Sequence, residues 1–317
     1  MRAYVVDRSA PEGPQVTLEE HLPESFLGDE GVLVDVAYSS INYKDALALM
    51  GKPGIIRAER LIPGIDLVGT LASGAHVLVN GCGIGETDNG GLAEKARVNP
   101  DWLVPVPSTL TLEQAAAIGT AGYTAMLAVL ALERAGAGGE VLVTGAAGGV
   151  GSIAVALLAA RGHRVTASTG RIAEHEYLRS LGASDIIDRA TLSEPGKPLQ
   201  SERWDAAIDS VGGTTLANVL SQTRYGGTVA ACGMAGSTEL PASVLPFILR
   251  AVNLAGINSV YTPRALRLEA WHKLGTELDL ALLDSMTTTV GLGDAVATAE
   301  RVLAGAVRGR SVVDVTH

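Results

Sequence analysis

Cysteine is nearly absent: the 317 residues include only Cys82 and Cys232. That excludes a dense disulfide framework and a four-thiolate zinc site. The six histidines stand apart at His21, His76, His163, His175, His272 and His317, with no metal-ligand spacing among them. Basic residues are outnumbered, 24 against 34 acidic ones, for a formal net charge of -10. This balance argues against a broad nucleic-acid surface but leaves room for a local basic pocket. No long uninterrupted apolar run fits a membrane span, and the opening MRAYVVDRSAPEGPQ lacks the apolar core of a signal peptide. The expectation is a reduced, cytoplasmic protein with no membrane partner. What the chain does have is a 47% hydrophobic fraction and 38 glycines. Its length suggests two domains with real cores, joined by many tight turns.

The glycines concentrate in Val141–Ser152, VLVTGAAGGVGS. Val141 to Val143 suit a buried strand, and IAVALLAA from Ile153 suits a packed helix. Between them, Ala146, Gly148 and Gly151 give A-x-G-x-x-G, with Gly149 and Val150 inside the turn. A strand, a glycine turn and a helix can seat a dinucleotide diphosphate on unpaired backbone amides. A tight structural connection is the alternative. The next strand, His163–Ser168, runs into Thr169, Gly170 and Arg171, with no acid before Glu174. NAD sites often place Asp or Glu there for the ribose hydroxyls, whereas an arginine suits a 2'-phosphate. NADPH is therefore the expected cofactor, with a solvated arginine at a helix start as the alternative. Arg189, beyond another short strand, could add a phosphate or adenine contact or be surface charge.

Residues up to Pro105–Pro107 read as short strands and turns. Within them, the segments NYKDAL at 42–47 and PGIDLVG at 63–69 stand out, followed by GTAGYTA at 119–125 and TGAAGGVGS at 144–152. TGR at 169–171, HEYLRSLGAS at 175–184, AACGMAG at 230–236 and LPFILR at 245–250 continue the series. In this set the chain resembles the medium-chain dehydrogenase/reductase superfamily. More narrowly, it resembles the zinc-independent, quinone-oxidoreductase-like branch that contains NADPH-dependent acrylyl-CoA reductases.

The resemblance implies an α/β protein: a Rossmann-type doubly wound parallel sheet combined with a GroES-like β-barrel domain. The expected divisions are a substrate domain over 1–115, an NADPH domain over 116–265, and a helical return with final barrel elements over 266–317. It places the active site in the cleft and Tyr43 beside nicotinamide and substrate. A phenol there can donate a hydrogen bond to a reacting oxygen or pass a proton through water, although a half-buried packing tyrosine is the alternative. Asn42 could hold nicotinamide or make a local turn bond, and Lys44 could attract phosphate or be an exposed helix residue. Asp45 is expected to orient Lys44 or cap its helix, and Asp66 to be structural. Thr120 could contact nicotinamide or cap a helix. Met234, Ile248 and Ser259 are cofactor-side by resemblance, with core filling, helix packing and turn formation as alternatives. Cys82 reads as a small residue in a tight place, and Cys232 as part of the sheet core.

Zinc-using relatives carry Cys-His where this chain has Asn42-Tyr43, and His-Glu where it has Ile65-Asp66, so no zinc is expected. The segment TLASGAH after Gly69 is shorter than in relatives, which should alter the barrel edge or lip. The implied reaction is NADPH-dependent reduction of acryloyl-CoA or a related short 2-enoyl-CoA, in a homodimer paired through the cofactor sheet. Quinone or enone reduction is the alternative enzyme, and a non-enzymatic NADPH sensor the alternative of another class.

Overall fold

A computed structural model describes every residue except 10, 12 and 137. In chain order the strands begin with β1 (Ala3–Asp7), β2 (Gln15–Glu19), β3 (Val32–Ser40), β4 (Arg60–Leu61) and β5 (Asp66–Leu71). They continue with β6 (His76–Asn80), β7 (Lys95–Val98), β8 (Val104–Pro105), β9 (Glu140–Val143), β10 (Arg164–Thr169) and β11 (Asp185–Asp188). The last are β12 (Trp204–Asp209), β13 (Thr223–Ala231), β14 (Asn253–Gly256), β15 (Thr287–Gly291) and β16 (Arg310–Asp314). The helices used below are α1 (Tyr43–Leu49), α2 (Leu112–Arg134) and α3 (Gly149–Ala160).

Two compact units emerge. Unit 1 comprises Met1–Thr120, Val260–Gly275 and Leu283–His317; unit 2 comprises Ala121–Ser259 and Thr276–Leu282. The breaks thus fall at 120/121 and 259/260, against expected divisions after 115 and 265. Most of the C-terminal segment belongs with unit 1.

Unit 1 is built on a sheet of order β15-β16-β3-β5-β6-β8, with β7 also paired to β3. Its pairings are antiparallel except for parallel β15 and β16. Alternate residues of β3 and β5 point inward, so Val34, Val36 and Leu67 pack with Leu49 of α1 and with Val313 and Val315 near the chain end. This burial draws the last strand against β3. The shortened segment after Gly69 forms the tight β5–β6 hairpin, closed by Leu71 N donating to Ala75 O at 2.9 Å.

Unit 2 carries a sheet of order β11-β10-β9-β12-β13-β14, parallel at each pairing among the described residues. Renumbered from β9, this is the 3-2-1-4-5-6 order of a doubly wound dinucleotide fold. The strands are apolar runs because both faces are covered: Leu142, Ala207 and Val229 are buried with Leu216, Val219 and Leu220 of the helix that follows β12.

One sequence reading needs correction. By length and composition α2 could cross a membrane; 89% of its most apolar window, however, is buried inside the protein. Its backbone also leaves the helical region at Gly119 (φ 46°, ψ -157°).

Candidate functional site

In unit 2, β9 feeds the glycine turn and α3 begins after Gly148. A helix start leaves its first amides without helical acceptors, here those of Gly149, Val150 and Gly151. A side chain at Gly151 would collide with the Gly145 carbonyl, so the turn can press against the helix only with glycine there. The turn is braced by a cluster that sequence reading missed. Thr144 Oγ1 donates to Asp209 Oδ1 at 2.6 Å, and Gly212 N donates to Asp209 Oδ2 at 2.7 Å. Burial pushes the Asp209 carboxyl up, while those donors pull it down. Asp209 thereby ties the end of β12 to the end of β9, where the carboxyl ends of the strands face the ligand crevice of such sheets.

At the end of β10, Thr169 Oγ1 accepts from Arg171 N at 3.2 Å. Arg171 Nη1 lies 3.5 Å from Glu174 Oε1, so its guanidinium already faces a carboxylate. Arg189 comes from the end of the neighbouring strand, and its side chain lies over Gly170, where a Cβ would collide with it. Thr169, Gly170, Arg171 and Arg189 therefore form one corner. Arg189 is exposed and makes no ion pair within 4.0 Å among the described residues. The residues fit a dinucleotide with a 2'-phosphate: amides for the diphosphate, two guanidiniums at the corner, and no acid at positions 169 to 171.

Met234 and Ile248 are 58% and 69% exposed, which rules out core filling and helix packing for them. Ser259 is half-buried. Cys232 lies just past β13 rather than in the sheet, its Sγ 3.3 Å from Asp209 O, and burial pushes its thiol up to about 12.

In unit 1, Tyr43 opens α1 and is 44% exposed. Asn42, the residue before it, belongs to a largely buried polar cluster. Asp66 Oδ1 accepts from Thr120 N at 2.8 Å and Thr120 Oγ1 at 2.6 Å. Asp66 Oδ2 accepts from Ser40 Oγ at 2.5 Å and Asn42 Nδ2 at 2.7 Å. Arg310 Nη2 stands 3.9 Å from the same oxygen, both side chains at most 3% exposed. Asn42 and Asp45 form a capping box, so Asp45 caps α1 and does not orient Lys44. Lys44 instead pairs with Glu86 at 2.7 Å and is not a merely solvated lysine. Cys82 is half-buried with a left-handed backbone (φ 56°).

Two carboxylates thus share the side-chain amide of Asn42. Burial, and then the charge of Asp66, push Asp45 up to about 7 against the pull of donors from Asn42 and Ile65. A raised carboxyl means that the folded chain keeps a proton which the unfolded chain releases near about pH 4. The stabilisation is complete below that value and is lost as pH rises through about 7. Asp45→Asn, which cannot titrate, is expected to flatten the fall in urea midpoint between about pH 5 and about pH 8. An unchanged slope would contradict this assignment.

The zinc-binding dehydrogenase family profile matches residues 149–274. The chain is 47% identical to a protein of Escherichia coli (strain K12) named probable acrylyl-CoA reductase AcuI, over 99% of this chain and 100% of that protein. It is 46% identical to acrylyl-CoA reductase AcuI of Ruegeria pomeroyi, over 99% of this chain and 98% of that one. Among solved structures, the yhdH oxidoreductase from Salmonella enterica in complex with NADP superposes with a TM-score of 0.96. There the identity is 47%, and 99% and 100% of the two chains are covered.

Despite the family's description, the donors here do not fit zinc. Asn42, Tyr43 and Ile65 are not zinc-ligand types, and the Asp66 carboxylate already accepts four hydrogen bonds. No group of three or more His, Cys, Asp or Glu suited to a metal occurs among the described residues.

Proposed function

The chain belongs to the acrylyl-CoA reductase group of the medium-chain dehydrogenase/reductase superfamily, and from that membership we propose its reaction. It reduces the carbon–carbon double bond of acryloyl-CoA or a related short 2-enoyl-CoA with NADPH. The observation that carries this is the 47% identity, end to end, with a protein named for that reaction.

NADPH, when bound, supplies a hydride to Cβ of the enoyl thioester. Negative charge then gathers on the thioester oxygen, and Cα takes up a proton. The protein's task is electrostatic: a donor aimed at that oxygen lowers the barrier. Tyr43 is the proposed donor, a side chain left 44% exposed at the start of α1. Gly148, Gly149, Val150 and Gly151 hold the diphosphate through backbone amides; Thr169, Gly170, Arg171 and Arg189 hold the 2'-phosphate. Asn42 and Thr120 meet the nicotinamide only as acceptors, because the amide hydrogens of Asn42 and the hydroxyl hydrogen of Thr120 are committed to Asp45 and Asp66. Met234, Ile248 and Ser259 complete the cofactor contacts.

The expected ranking comes from an NADPH-consumption screen of acryloyl-CoA, crotonyl-CoA, simple quinones and small enones. Acryloyl-CoA should exceed every quinone in kcat/KM by at least about tenfold, or about 1.4 kcal/mol of transition-state stabilisation. A preference for quinones would replace the proposed substrate, and NADPH binding without turnover would make the protein a sensor.

A second copy of the chain is the proposed protein partner, in the cytoplasm. The sheet ends at β14, whose outer edge is unpaired among the described residues, and Val244, Leu249 and Leu254 are exposed in the neighbouring segments. Unpaired edges beside apolar surface favour strand-to-strand association. Light scattering should return twice the mass of one chain; a monomer mass would remove this partner.

A further inference from the structure

Burial does not fix the Tyr43 ring, which is 44% exposed. The peptide that carries it is held instead. Asp45, on the same helix, accepts from Asn42 N at 2.8 Å and Asn42 Nδ2 at 2.9 Å. Asp66, on β5, takes the other amide hydrogen at 2.7 Å. Arg310, on β16, donates to Asn42 Oδ1 at 3.2 Å. The amide therefore has one orientation, nitrogen toward two carboxylates and oxygen toward a guanidinium. Just before it, Ile41 N donates to Ser311 O at 2.9 Å.

Arg310 is the piece without which this arrangement fails. It is 2% exposed, and its remaining donors reach Ala117 O at 2.6 Å and Ser40 Oγ at 2.9 Å. Nothing in these contacts suits it to touch a substrate. Ions this deeply buried are expensive, and an apolar cluster of equal volume would hold the fold at least as well. What the ions provide instead is a single backbone geometry at the start of α1.

We propose that Arg310 is a positioning residue for the reaction: by gripping Asn42 between itself and the two aspartates, it sets where the Tyr43 hydroxyl stands. The proposal rests on the reading of Tyr43 as donor to the thioester oxygen. Lysine at 310 would keep the charge but lose the planar fork that reaches three acceptors at once.

The test is a double-mutant cycle on the full-length enzyme, with NADPH and acryloyl-CoA as substrates. Arg310→Lys should lower kcat at least tenfold while leaving the KM for NADPH within twofold. In the Tyr43→Phe background, the same change should cost less than twofold, since there is no hydroxyl left to place. Ser40→Ala removes the hydroxyl joining Arg310 to Asp66 and keeps every charge; it serves if Arg310→Lys does not fold. Its smaller loss, about threefold, should likewise vanish beside Tyr43→Phe. Losses that multiply in full with that of Tyr43→Phe overturn the positioning role alone. So does unchanged turnover in the single variants. Wild-type turnover in Tyr43→Phe overturns the reading of Tyr43 itself, and the proposal with it.

Discussion

Replacing Gly119 with alanine is expected to destabilise the protein by at least about 3 kcal/mol. Two costs combine. The backbone there, at φ 46° and ψ -157°, lies in a region that is essentially glycine's own, and a side chain would add about 1–3 kcal/mol of strain. The new Cβ would also stand 2.6 Å from Asp66 Oδ2, 2.9 Å from Arg310 Nη2 and 3.0 Å from Ser40 Oγ. It cannot enter without parting a buried ion pair, a change that costs about 3–5 kcal/mol when one partner is lost. Gly74→Ala separates the two costs. Gly74 also has a positive φ, 83°, but nothing lies within 4 Å of its Cβ position. It should lose only the strain, so the two variants compared by urea unfolding should differ by about 2 kcal/mol or more. Equal losses would mean that the cluster tolerates the intrusion.

The second large effect concerns the cofactor. Arg189→Ala is expected to lower kcat/KM for NADPH by about 10- to 100-fold and to leave NADH within about twofold. The range follows from about 1.5–3 kcal/mol for a charged hydrogen bond, at about 1.4 kcal/mol per tenfold. Arg189 is expected to carry the larger share because it makes no ion pair within 4.0 Å among the described residues, whereas Arg171 lies beside Glu174. Arg171→Ala should act in the same direction, since it uncovers Glu174, whose charge repels a phosphate. Equal losses with both cofactors would place these arginines outside the 2'-phosphate site.

The contrast between the two regions explains what could be read in the sequence. The glycine turn, the helix after it and the TGR corner are contiguous, and local rules of strand, turn and helix suffice to recognise them. Asp45 was accessible for the same reason, because its capping box lies within residues 42–45, whereas Tyr43 stood out only through the family resemblance. The cluster around Asp66 was not. It gathers Ser40, Asn42, Asp66, Thr120 and Arg310 from distant parts of the chain, and Arg310 by itself is only the first residue of a strand. Asp209 was likewise concealed in an apolar segment, its meaning fixed by Thr144, 65 residues away. Helix α2 was legible in part: GTAGYTA, opening on Gly119, interrupts an Ala- and Leu-rich helical segment where the backbone does break. What no local pattern carried is that the break makes room for the buried cluster. The exposed Met234 and Ile248 show the remaining limit, since apolar character identifies neither a core residue nor a ligand-facing one.

The central claim is hydride transfer to Cβ of an enoyl thioester, and isotope labelling tests it most directly. With NADPH carrying deuterium at both C4 positions of the nicotinamide, acryloyl-CoA should yield propionyl-CoA with one deuterium, located at Cβ by NMR. Deuterium at Cα, or an unlabelled acyl chain while NADPH is consumed, would contradict the account.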